Sequence, residues 1–205
     1  MTSRHRLALY SLLVFALLAL FIPSGRSYEP QTGDVIFHTS RSSQSLAIQQ
    51  ATDSPYSHMG MVVIRNGKPY VFEASRQVVY TPLKEWIARG SRGAFVAKRL
   101  QTALTPAQQA ALSKMAKRYV GKPYDLTFSW SDDRQYCSEV VWKVYFKALG
   151  MEVGHRQKLG DFDLSHPAVK AKLKERYGSR IPLNETVISP KAMFDSGLLY
   201  TVAEK

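Results

Sequence analysis

Cys137 is the only cysteine in the chain. A thiol that has no second cysteine to pair with is either inert core packing or a free reactive nucleophile. Reactivity needs a base within reach, and a base on an imidazole needs a carboxylate to hold one ring nitrogen so that the other stays free. His58 and Glu73 are the residues whose types and placement could supply both. Together with Cys137 they make the set that thiol-dependent acyl transfer requires. The other histidines fit less well: His5 lies in an apolar N-terminal segment, while His38, His155 and His166 have no acidic partner fixed by an inferable register.

A β-hairpin places His58 beside Glu73. Residues 57–64 and 69–74 read as strands joined by Asn66-Gly67, a strong two-residue turn signal. With that turn Arg65 pairs with Lys68, Gly60 lies opposite Glu73, and His58 lies opposite Ser75. His58 and Glu73 then share a face as diagonal neighbours, roughly 7–8 Å apart along the backbone. Gly60 leaves open space between them in this reading. Pro69 is compatible because it falls in a non-hydrogen-bonded pair with Ile64. A slip of one residue would send the two polar groups to opposite faces. The same pattern also fits an ordinary histidine and glutamate on the solvent face of a half-exposed sheet.

Cys137 begins a helical stripe. Cys137, Val140, Val141, Val144, Tyr145, Ala148 and Leu149 recur at the spacing of one helical face. Asp132 with Gln135 three residues on marks a helix start, so the helix runs from about residue 135 to Leu149, with Gly150 ending it. Cys137 then sits in or near the first turn, where unpaired N–H groups and the helix dipole favour a thiolate. The polar run before it implies a helix start open to solvent. Burial on a core stripe remains the competing account, since free cysteine is among the most buried residue types.

Other segments complete an α+β pattern of early strands with helices between and after them. Asp34 to Phe37 reads as a short strand, residues 42–51 as a helix with Leu46, Ile48 and Ala51 apolar, and 95–100 as another strand. Thr81-Pro82 opens a helix through Trp86 to Gly90, with Pro at its first position. Thr105 to Gly121 carries a capping-box spacing. A basic helix follows Ser165, and the tail from Ile188 holds a short helix and a last strand. No linker divides residues 28–205, which read as one domain.

Arg4, His5 and Arg6 precede an apolar run of sixteen residues from Leu7 to Ile22, then Pro23 and small polar residues. That order is a secretory signal over residues 1–27 or, uncleaved, an inner-membrane anchor, and it points to a periplasmic or otherwise exported domain. Three arginines and no acid lie in that segment, so the net charge falls from +12 to +9 without it. A cationic exported domain suits an anionic envelope surface. Scattered basic residues and the lack of a recognition motif argue against nucleic acid. Composition does not speak to oligomeric state.

Tyr56-Ser-His58-Met-Gly60-Met, Val71-Phe-Glu73-Ala, Gly121-Lys-Pro-Tyr124-Asp125 and Tyr136-Cys137-Ser-Glu139-Val-Val, in this order, resemble the YiiX-like branch of the circularly permuted NlpC-type, papain-like cysteine hydrolases. The opening Gly33-Asp34-Val-Ile-Phe37 is similar to the first strand of that family. The resemblance implies a permuted papain-like fold, with a small antiparallel sheet packed against helices and the nucleophile-bearing helix lying across it. It also implies Cys137 as nucleophile, His58 as general base and acid, Glu73 as the orienting residue, and Tyr124 in the wall of the site or its oxyanion region.

The implied activity is hydrolysis of an amide through a thioester, in peptidoglycan peptides by analogy with non-permuted relatives. Membrane acyl-lipids cleaved by a thiol-dependent hydrolase or acyltransferase are the alternative substrate, and a catalytically silent envelope-binding module is the alternative role. No metal or other cofactor is implied: there is no HExxH pattern, and a lone cysteine does not make a zinc site.

Overall fold

The computed structural model describes residues 28–205; the expected signal or anchor over residues 1–27 lies outside them. Among the described residues, no helix is long and apolar enough to cross a membrane.

The chain runs β1 (Val35–His38), α1 (Ser45–Thr52), β2 (His58–Arg65), β3 (Lys68–Ala74), β4 (Val78–Pro82), α2 (Leu83–Arg89), β5 (Val96–Leu100), α3 (Pro106–Tyr119), α4 (Cys137–Leu149), β6 (Gln157–Lys158), α5 (Pro167–Tyr177), β7 (Thr186–Val187), α6 (Pro190–Phe194) and β8 (Leu199–Glu204). Six strands form one sheet in the order β4-β3-β2-β1-β5-β8, antiparallel at every pairing. The architecture is the expected α+β one, a small antiparallel sheet packed against helices.

Period-two alternation divides the strands between two layers. Val35, Phe37, Met59, Met61, Val63 and Phe72 face α4 and α3, packing on Val140, Val141, Val144, Tyr145, Leu112 and Ala116. Ile36, Val62, Val71 and Ala97 face α2, where Leu83 and Trp86 cover them. A satellite cluster joins α1 to α5 through Ala47, Val169 and Leu173. The first nine residues of α4 are buried on every side, so this helix is the centre of the larger layer.

Arg65 pairs with Lys68 across Asn66-Gly67, and the ladder continues to Met61 opposite Phe72. That is the register read from the turn. Asn66 and Gly67 both have positive φ, as a primed hairpin turn requires.

Four local expectations need correction. Pro82 does not open α2: it ends β4, a strand not anticipated, and its extended backbone stands just before Leu83. Leu46 is 55% exposed because α1 starts at Ser45 and turns Ala47 inward instead. Asp132 does not cap α4; its carboxylate binds Lys147 at 2.6 Å and Lys143 at 3.2 Å, and the helix begins at Cys137 after an extended Tyr136. Gly60 is not open space: a Cβ there would stand 2.3 Å from Val71 Cγ1 and 2.7 Å from the Phe72 carbonyl. Close approach of two strands, not room for side chains, demands glycine at that position.

Candidate active site

His58 and Glu73 meet on the α2 face of the sheet, His58 Nε2 standing 2.6 Å from Glu73 Oε2. The diagonal placement of the hairpin delivers this contact, but the surroundings are not those of a solvent face. Glu73 is fully buried and His58 only 14% exposed at its side chain. Glu73 lies inside the sheet because β4 pairs beyond it, Glu73 opposite Val79.

Both carboxylate oxygens of Glu73 are occupied. Oε2 also accepts from Trp86 Nε1 at 3.1 Å, and Oε1 accepts from Thr81 Oγ1 at 2.5 Å and from the Arg89 guanidinium. Burial alone would raise its pKa, but the hydrogen bonds of His58 and Thr81 and the charges of His58 and Arg89 hold it at about 2. The carboxylate is thus a fixed anion locked at four points.

The Cys137 thiol meets the His58 ring where β2 begins. Burial would lower the pKa of His58, but the hydrogen bonds its ring donates to Cys137 and Glu73, with their charges, raise it to about 9. Glu73 occupies Nε2, which leaves Nδ1 for the sulfur. Cys137 is 4% exposed, so its helix start is buried rather than open to solvent. As the first residue of α4, it offers a backbone N–H that has no partner within the helix.

Tyr124 is carried to Cys137 by a chain segment that clamps β4. Gly121 N–H donates to the Val78 carbonyl at 2.9 Å and Val78 N–H to the Lys122 carbonyl at 2.8 Å. Tyr124 then forms an isolated parallel bridge with Gln135, two residues before the cysteine. Its hydroxyl accepts from Gln44 Nε2 at 2.9 Å. Burial, reinforced by the nearby Cys137 charge, raises its pKa, so the phenol keeps a proton to donate.

The four residues expected at a site therefore come together. The sequence reading passed over His38, Gln44, Thr81, Trp86 and Arg89. His38 pairs directly with His58 across β1 and β2 and stacks on Trp86, ring centroids 4.0 Å apart. Burial, aided by the His58 charge, lowers its pKa to about 3. It stays neutral. No local signal marks these residues, because α1 separates β1 from β2 and the unanticipated β4 carries Thr81.

Two cavities adjoin the group. One is apolar, about 100 Å³, and runs from Cys137 and Tyr124 between α1 and α5, past Ala47, Ile48, Val169 and Leu173. The other is a cleft of about 890 Å³ that includes His38, His58, Arg41, Arg76 and Arg89. Gln44 and Tyr124 border both.

A family profile described as "Permuted papain-like amidase enzyme, YaeF/YiiX, C92 family" matches residues 29–203. "Uncharacterized protein YiiX" of Escherichia coli (strain K12) is 61% identical over 202 residues, covering 98% of this chain and 96% of that protein. A crystal structure described as that of "metalloprotein yiiX from Escherichia coli O157:H7" superposes with a TM-score of 0.85 at 65% identity, over 87% of this chain and 99% of that one. The nearly full-length profile match and the identity to YiiX agree with the permuted order of histidine before cysteine, and the chain belongs to the permuted papain-like amidases of the YaeF/YiiX family.

Proposed function

We propose that the chain is a cysteine amidase that cleaves N-acyl substrates whose acyl group is apolar, with Cys137 as nucleophile, His58 as base and acid, and Glu73 as the group that orients His58. The observation that carries the substrate class is the apolar cavity that starts at Cys137. A cell-wall peptide would bury amides and carboxylates there without partners, at a cost of roughly 1–3 kcal/mol each. An aliphatic chain would gain about 0.8 kcal/mol per methylene. Of the two substrate classes expected from the sequence, this cavity favours acyl-lipids over peptidoglycan peptides.

In the reaction, the Cys137 proton passes to His58 Nδ1 and the sulfur attacks the amide carbonyl. The developing oxyanion takes hydrogen bonds from the Cys137 N–H and the Tyr124 hydroxyl, where one donor is worth about 100–1000-fold in rate. The carbonyl re-forms, the C–N bond breaks, and His58 returns its proton to the departing nitrogen. Water, deprotonated by His58, then attacks the thioester. The C–S bond breaks, the thiol regains its proton, and a fatty acid leaves. Glu73 stays ionised throughout and holds Nε2.

The word "metalloprotein" describes a relative, and the donors among the described residues of this chain do not fit a metal. Among the described residues no group of three or more His, Cys, Asp and Glu side chains is placed to hold an ion. His58 Nε2 and both oxygens of Glu73 are already engaged. No step runs through a metal.

The apolar N-terminal segment would place this activity outside the cytoplasm, beside the membrane. The test is to incubate the full-length chain with N-dodecanoylethanolamine in vesicles and, separately, with purified peptidoglycan. Fatty acid released by the wild type and not by Cys137→Ala supports the reading. Soluble peptides released from peptidoglycan with no fatty acid from vesicles would overturn it.

A further inference from the structure

The cleft on the far side of Tyr124 has a chemistry the amidase reading does not use. His58 lines it, and the residue that protonates the departing nitrogen must stand on the leaving-group side. The acyl group therefore points into the apolar cavity and the amine fragment into the cleft. Gln44 and Tyr124, shared by both cavities, mark the boundary at which the amide is held.

The cleft wall is cationic. Arg41, Arg76 and Arg89 line it, and no aspartate or glutamate does. Arg89 is partly neutralised by Glu73 behind it. Arg41 and Arg76 are exposed, and among the described residues neither pairs with a carboxylate. Arg41 donates to the Gly90 carbonyl at 3.1 Å, which ties its guanidinium to the rim. Ser75 and Gln77 add neutral hydrogen-bonding groups beside Arg76. Unpaired guanidinium groups facing one concave space make a receptor for an oxyanion, because their planar donors match carboxylate and phosphate oxygens.

We propose that Arg41 and Arg76 bind an anionic group, carboxylate or phosphate, on the amine fragment of the substrate, so that the preferred substrate is an N-acyl amine with an anionic head. This rests on the reading of Cys137 as nucleophile and of the apolar cavity as the acyl site. It makes the site two-sided: apolar tail on one side of the scissile bond, negative head on the other.

The test compares N-dodecanoyl-O-phosphoethanolamine and N-dodecanoylglycine with neutral N-dodecanoylethanolamine, as kcat/KM for the full-length wild type and as Kd for Cys137→Ala. The expected result is that at least one anionic substrate is favoured at least about tenfold, as one charge-assisted contact would give. Phosphate preferred over carboxylate, or the reverse, identifies which oxyanion is read. The preference should collapse in Arg41→Gln/Arg76→Gln and shift toward N-dodecanoylethylenediamine in Arg76→Glu, while Lys114→Gln, exposed on α3 and lining neither cavity, keeps it. Equal kcat/KM for anionic and neutral substrates, or a preference indifferent to both arginines, overturns the anionic head and leaves the acyl amidase standing. Failure to cleave or bind any of the substrates overturns both.

Discussion

His38 and His58 face each other across the β1–β2 ladder, with ring centroids 5.3 Å apart, yet their proton affinities are driven in opposite directions. His58 donates hydrogen bonds to Cys137 and Glu73 and rises to about 9; His38 is buried against Trp86 beside the His58 charge and falls to about 3. One cation is retained where the carboxylate can hold it.

This pair shapes how stability depends on pH. His38 binds fewer protons folded than unfolded between about 3 and 6.5, so stability rises with pH over that window. His58 binds more protons folded than unfolded between 6.5 and about 9, so its contribution is complete below 6.5 and is lost as pH rises through 9. Buried Glu139, pushed up to about 8, opposes the His38 rise between about 4.5 and 6.5. Thermal melts from pH 4 to 10 should therefore stay level to about 6.5 and fall above it. His38→Phe should tilt the level part downward with rising pH and leave the alkaline limb, and an unchanged profile would refute the assignment.

His58→Ala should lower amidase kcat by about 100–10,000-fold, the usual worth of a positioned acid–base group. It should also slow alkylation of Cys137 by iodoacetamide at pH 6. Alkylation rates indifferent to His58 would mean that the sulfur is core packing.

Glu73→Ala leaves His58, Thr81, Trp86 and Arg89 without their common acceptor. Removal of one partner from a buried pair costs roughly 3–5 kcal/mol. Arg89 is half exposed and can turn to solvent, so the low end of that range is expected in urea melts. The His58 pKa, followed by NMR, should fall in the same variant.

Gly60→Ala is a backbone-level test of the hairpin. A Cβ 2.7 Å from the Phe72 carbonyl must push β3 away, at about 1–3 kcal/mol for overpacking. Because Glu73 is the next residue, activity should fall further than the melting temperature suggests. Ile64→Thr on the same strand, at a position 37% exposed, should spare both.

Acyl-chain length should govern kcat/KM, rising by roughly fourfold for each methylene buried, at about 0.8 kcal/mol each, until the cavity is full. Ala51→Phe on α1, in the cavity wall, should shorten the preferred chain. A flat profile from hexanoyl to dodecanoyl would exclude the cavity as an acyl site.

Local signals carried the elements that short-range physics decides. Asn66-Gly67 fixed the hairpin register and with it the His58–Glu73 contact, because a two-residue turn admits one pairing. Thr105 and Gln108 form the reciprocal capping box that their spacing implies. The start of α4 was misplaced because Asp132 has the type of a cap, while its carboxylate is drawn to Lys143 and Lys147, nearly two and nearly three turns into the helix. β4 was missed because Thr81-Pro82 resembles a helix start, and only pairing with β3 makes it a strand.

The sequence by itself determined which residues could act, a lone thiol, a histidine and a carboxylate, and brought two of them together through one tight turn. It also determined the order of motifs that marks the family. The tertiary structure alone decided that Glu73 is buried, that Arg89, Thr81 and Trp86 converge on it, and that His38 stands opposite His58. It alone opened an apolar cavity on one side of Cys137 and a cationic cleft beyond Tyr124. The reason is range: a turn is set by two or three dihedrals, whereas burial and cavities depend on strands and helices that meet only when the whole sheet closes.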